Sequence, residues 1–210
     1  MRTLIIAMRK IAISVLVLFL GINARLVAQH DTVQHDTVQH DTVKHGIGFI
    51  VGFGDQGILD VRYKYDVVLF QLQYTRALLP QEKTWGLDLV IQPQYNVTKF
   101  RKIDALPVLT DGFEFGVNVG LAIHKSIIEN FLKMYLLASL GPHYVSGTPD
   151  RQAAGFIFSD NVFVGLDVKV FEKYHLDVRY GFRHISNAGL QQPNGGVNNL
   201  VISAGLMIDI

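Results

Sequence analysis

Phe113-Glu114-Phe115-Gly116-Val117-Asn118-Val119-Gly120-Leu121-Ala122-Ile123-His124 alternates apolar residues with polar or small ones almost without a break. Successive side chains of a strand point to opposite faces. One face therefore carries Phe113, Phe115, Val117, Val119, Leu121 and Ile123, and the other carries Glu114, Gly116, Asn118, Gly120 and His124. The run is long enough to cross a bilayer as a tilted strand, which takes about 9–11 residues.

The same period of two dominates from Gly46 onward. Comparable runs fall near 46–54, 59–74, 85–95, 132–143, 156–169, 175–183 and 198–209, which makes about eight strands with the first. In the run at 59–74 the alternation slips phase at Asp66–Val67, which predicts a β-bulge or two short strands. Short connections near 79–84, 125–131 and 171–174 alternate with longer polar ones at 97–111, 147–154 and 187–197. Short periplasmic turns and long outer loops mark an outer-membrane barrel. The fold expected is an all-β, eight-stranded antiparallel up-and-down transmembrane β-barrel in the cell outer membrane. Glycines on the polar face suit a narrow lumen packed with side chains. The competing fold is a secreted, soluble lipocalin-like carrier with the two faces exchanged.

The beginning of the chain fits export. Arg2, Arg9 and Lys10 precede an apolar run over 11–21, too short to span a bilayer but suited to a signal peptide ending near Ala28. Gln-His-Asp-Thr-Val then occurs three times, from Gln29, Gln34 and Gln39. Five-residue spacing keeps successive histidines off a common face of a helix or a strand, so a solvated low-complexity linker is expected there rather than a metal site. The expected organisation is a signal peptide over 1–28, a linker over 29–45 and the barrel over 46–210. The net charge of +1 gives no electrostatic reason to expect nucleic acid as a partner, and the lack of cysteine removes disulfides and thiol chemistry.

One polar cluster stands out on the apolar face. His184 and Ser186 continue the parity of Leu176, Val178, Tyr180 and Phe182, and Asn198 shares that of Leu200, Ile202, Ala204 and Leu206. With the N-terminus periplasmic, the seventh strand ends at the outer surface, so the cluster faces lipid at the depth of the outer leaflet. A histidine beside a serine is a base beside a nucleophile. Polar side chains that merely mark the headgroup boundary are the simpler explanation. The tight connection at 171–174 predicts a register that sets His184 opposite Asp160 or one step from it. Asp160 and Asn198 would then flank His184, and a carboxylate on a lipid-facing wall is costly unless it serves something.

The stretch His184-Ile185-Ser186-Asn187-Ala188-Gly189-Leu190-Gln191-Gln192-Pro193-Asn194-Gly195-Gly196 resembles the signature of the PagL-type outer-membrane lipid A 3-O-deacylases, and Phe158-Ser159-Asp160 resembles that family's preceding strand. The resemblance implies an exterior Ser-His-Glu triad that hydrolyses an ester-linked acyl chain of lipid A or a similar glycolipid in the outer leaflet, with no metal or organic cofactor. It makes His184 the base and Ser186 the nucleophile, with the backbone N–H of Gly189 and the neighbouring Asn194 and Asn187 as candidates to hold the oxyanion. Asn198 stands where the family's glutamate is expected. An amide accepts a hydrogen bond from imidazole but lends it no charge. The same kind of exchange in a protease costs about 10⁴ in rate. Three outcomes are open: Asp160 supplies the charge, activity is lower, or the site is degenerate and the barrel a non-catalytic lipid binder.

Overall fold

The computed structural model describes residues 44–79, 84–102 and 108–210, so the expected signal peptide and the pentapeptide repeats lie outside the described residues. Eight strands follow in order: β1 (His45–Asp55), β2 (Tyr65–Ala77), β3 (Trp85–Phe100), β4 (Thr110–Ile128), β5 (Leu132–Val145), β6 (Gly155–Lys169), β7 (Tyr174–Ser186) and β8 (Val197–Asp209). Each pairs antiparallel with its sequence neighbours, and β1 pairs with β8 from Gly46↔Asp209 to Asp55↔Leu200, so the sheet closes on itself. Closure leaves no strand edge, which is what lets a sheet sit in lipid.

Which face points inward separates the membrane barrel from the soluble carrier. On β4, Phe115, Val119, Leu121 and Ile123 are each close to half exposed, while Glu114 and Asn118 are fully buried. The polar face is therefore the interior and the apolar face the outer wall, the reverse of a lipocalin-like carrier. Rings gather on that wall toward the ends of the strands. Phe113 stacks on Tyr95 and Phe115, Tyr144 packs on both phenylalanines, and Phe156 meets Phe158 edge-on at 5.1 Å. Trp85 and Tyr174 are exposed toward the other end. Two aromatic girdles are usual for a transmembrane barrel.

The longer connections leave from Asp55, Phe100, Val145 and Ser186 at one end of the barrel, and the shorter ones from Ala77, Ile128 and Lys169 at the other. The longer set marks the outer surface. Just beneath it the lumen is closed by Tyr65, Phe100, Val145, Ile157, Ile185 and Val197, each at most 3% exposed.

That apolar plug corrects the reading of 59–74. Residues 59–64 belong to the first outer loop, where Leu59 and Val61 donate backbone hydrogen bonds to Gln56 and Leu59 at 2.8 and 3.0 Å. The β2 register runs without a bulge from Gly54↔Val67 to His45↔Arg76. The phase seemed to slip because Tyr65, Val67 and Leu69 fill the plug from inside while Val68, Phe70 and Leu72 face outward, so both faces of β2 are apolar at its outer end.

Below the plug the interior is polar and interlinked. Glu114 and Arg183, both fully buried, form an ion pair. His143 Nδ1 lies 2.5 Å from Glu114 Oε1, and the Arg183 guanidinium also reaches Asn199 Oδ1 at 3.4 Å. Removing one partner of such a pair strands the other charge. Glu114→Ala is expected to destabilise the barrel by about 3–5 kcal/mol, measured as a lowered urea midpoint in lipid vesicles, and adding Arg183→Met should recover much of the loss.

Candidate active site

The β6–β7 register sets Asp160↔His184 and Phe158↔Ser186, and the β7–β8 register sets His184↔Asn198. The cross-strand placement expected from the short turn is the one observed. His184, Ser186 and Asn198 are partly exposed on the outer wall, whereas their chain neighbours Arg183, Ile185, Val197 and Asn199 are fully buried. The polar cluster thus rests on the plug and on the Glu114–Arg183 network, which hold β7 and β8 from inside.

His184 Nδ1 lies 2.6 Å from Asn198 Oδ1. A hydrogen bond to the amide oxygen calls for the proton on Nδ1, and that tautomer is the one that leaves Nε2 free to act as a general base. Ser186 is on the same face two residues on, with no hydrogen bond to the imidazole among the described contacts. Bonds between nucleophile and base are often loose before substrate arrives. Asp160 is exposed and faces His184 across the ladder, but the two form no ion pair.

The three residues named as oxyanion donors hold one another. Asn187 N–H donates to Asn194 Oδ1 at 3.0 Å, the Asn187 side-chain amide donates to Gln191 O at 2.7 Å, and Gly189 N–H donates to Asn187 Oδ1 at 3.1 Å. Together these bonds shape the loop after Ser186. Gly189 can serve an oxyanion only by exchanging Asn187 Oδ1 for the substrate oxygen.

Several supporting residues were not evident in the sequence. Gly196 has φ +64°, and a Cβ there would lie 2.4 Å from His184 Cε1, so a glycine is required against the imidazole. Gly196 N–H donates to Gln152 Oε1 at 3.0 Å, and Gly195 N–H to Arg151 O at 2.7 Å, so the loop 146–154 fastens the loop 187–196. The Arg151 guanidinium lies 4.8 Å from the centroid of the Tyr63 ring. The Gly195-Gly196 pair was the available signal for the tight approach. Nothing in the sequence connects Arg151 or Tyr63 to the site.

The chain matches the PagL family, lipid A 3-O-deacylase, over residues 67–207. Among solved structures it is similar to the outer membrane enzyme PagL, at 19% identity and a TM-score of 0.56, covering 79% of this chain and 99% of that one. It is also similar to Neisserial surface protein A, at 14% identity and a TM-score of 0.45, covering 80% of this chain and 96% of that one. The outer membrane protein OprG from Pseudomonas aeruginosa gives 13% identity and a TM-score of 0.45, covering 83% and 99%. No curated protein matches the chain.

Gly196→Ala is expected to displace the imidazole and break its bond to Asn198 while leaving the barrel folded. The check is the ¹⁵N shift of His184 Nδ1 in detergent micelles, with heat-modifiable gel mobility as the control for folding.

Proposed function

The chain belongs to the PagL family of lipid A 3-O-deacylases, and on that premise we propose that it hydrolyses an acyl ester of lipid A, or of a similar glycolipid in the outer leaflet, with Ser186 as nucleophile and His184 as base. The observation that carries this reading is the 2.6 Å contact between His184 Nδ1 and Asn198 Oδ1 on the outer wall, with Ser186 on the same face.

The chemistry follows from that arrangement. His184 Nε2 takes the Ser186 proton as Oγ attacks the ester carbonyl, and the tetrahedral oxyanion forms. Collapse expels the sugar oxygen, which receives the proton from the imidazolium, and leaves an acyl-Ser186 ester. Water, deprotonated by His184, then attacks that ester, releases the fatty acid and restores the serine. Asn187, Gly189 and Asn194 border the place where the oxyanion develops. A substrate already in the membrane reaches the site laterally, without being drawn out of the leaflet.

Asn198 sets the level of activity. Its amide orients the imidazole and fixes the tautomer, but the imidazolium gains no counter-charge from it. Asp160 places a carboxylate directly opposite on the neighbouring strand but without a hydrogen bond or ion pair to the ring, so it can stabilise the imidazolium only through its field. The neutral Asn198 also favours a second reading, a lipid-binding barrel that has lost catalysis.

Mass spectrometry of lipid A from cells producing the wild type should show loss of an acyl chain that Ser186→Ala does not produce. Identical acyl patterns, with no cleavage of lipid A by either purified protein, would establish the non-catalytic reading. Asn198→Asp, which restores a charge with little change of shape, is expected to raise kcat by at least about tenfold, a fraction of the roughly 10⁴ that a full triad carboxylate is worth.

A further inference from the structure

We propose that Tyr63 is a positioning residue of the site: its hydroxyl stands in for the strand that ends short of Asn198 and thereby aims the Asn198 amide at His184. This rests on the Ser186–His184–Asn198 reading above.

The case begins with an unfinished ladder. β1 pairs with β8 as far as Asp55↔Leu200. Continued two residues, the same register would set Gly57 against Asn198. Gly57 instead has φ +53°, and Leu59 N–H turns back to Gln56 O at 2.8 Å, so the chain leaves the sheet there. The backbone of Asn198 is left beyond the end of β1, on a wall that faces lipid. A backbone polar group without a partner is costly in such a place.

Tyr63 fills the gap. Its hydroxyl accepts the Asn198 N–H at 2.7 Å and points its own hydrogen toward Asn198 O at 3.5 Å. One side-chain oxygen thus meets both polar groups that the next peptide of β1 would have met. The N–H and C=O of a strand residue lie on the same edge, so holding both fixes the rotation of that residue about the strand axis. That rotation decides where the side chain points. Asn198 Oδ1 has to reach His184 Nδ1 on the neighbouring strand, and it does so at 2.6 Å.

The strut is itself braced. Arg151 packs its guanidinium over the Tyr63 ring, donates from the same group to Gly195 O, and accepts Gly195 N–H at 2.7 Å. A cation over an aromatic ring is attractive, more so away from water. Three outer loops, 56–64, 146–154 and 187–196, therefore converge on the backbone that presents Asn198.

The test is a double-mutant cycle on kcat and KM for lipid A in detergent micelles, using Tyr63→Phe and Asn198→Ala separately and together. Tyr63→Phe keeps the ring and the stack on Arg151 and removes only the oxygen. It is expected to lower kcat by about 10- to 100-fold, the scale of a small misplacement of a catalytic group, with KM within about twofold. In the Asn198→Ala background, where no amide remains to aim, the same change should cost little. An unchanged kcat in Tyr63→Phe overturns the proposal. So does an equal fold-loss in both backgrounds, which would make Tyr63 a general support of the loops. If Asn198→Ala alone retains wild-type kcat, the triad reading fails instead, and the two failures are distinct. Should Tyr63→Phe not fold by gel mobility, Arg151→Ala is read in the same cycle. It leaves the hydroxyl but loosens its ring, and a loss that persists undiminished without the Asn198 amide counts against the proposal.

Discussion

Lipid offers the backbone no hydrogen bonds, and the ladder must therefore close on itself. Closing with eight strands makes a barrel so narrow that its interior is filled by side chains. The cross-strand pairs show how that crowding is resolved. His124 faces Gly86, His143 faces Gly116 and Tyr135 faces Gly165, and a Cβ at any of these glycines would lie 2.2–2.3 Å from the opposing ring. Glycine on the polar face makes room for a ring on the next strand. The polar alternation of β4 is thus a packing pattern, with large interior groups set against vacancies.

The same constraint ties the interior to the outer wall. Strand parity sends Arg183 and Asn199 inward and His184 and Asn198 outward, one residue apart on the same two strands. Inside, Arg183 is bound to Glu114 on β4 and Asn199 donates to Tyr65 O at 2.7 Å. The paired segments that present the imidazole and amide to lipid are thereby anchored across the lumen. Ile185 and Val197 add a dry layer directly behind the cluster. A site on strand ends backed in this way keeps its geometry better than one carried on loops alone.

This architecture also explains what the sequence disclosed. Parity and strand count are local, so the barrel, the lipid-facing placement of His184 and its register with Asp160 could be read from alternation and one short turn. The plug was hidden because Tyr65, Val67 and Leu69 look apolar whether they face in or out, and the phase of β2 seemed broken. The partner of Asn198 was hidden for another reason. Tyr63 lies 135 residues earlier, in a segment whose alternation imitates a strand, and no local pattern announces a side chain that replaces a missing ladder. Asn187, Gly189 and Asn194 could be named singly in the sequence but not as a network, because the bonds of Asn187 to Gly189, Gln191 and Asn194 depend on how one loop folds over itself.

The position of the candidate site relative to an interior cavity bears on its chemistry. A cavity of about 550 Å³ opens at the end with the short turns, lined by Asp88, His124, Asp167, His175 and Asp209 among others. It lies at the opposite end of β7 from His184, with the buried Tyr65, Phe100, Ile157 and Ile185 set toward the outer end. For a soluble substrate a concave pocket supplies the apolar surroundings and the exclusion of water. On the outer wall of a membrane barrel the bilayer supplies both. On the reading proposed above, with Ser186 as nucleophile and His184 as base, the protein then has only to hold those two groups and the Asn198 amide at the outer end of β7 and β8, and lipid does the rest.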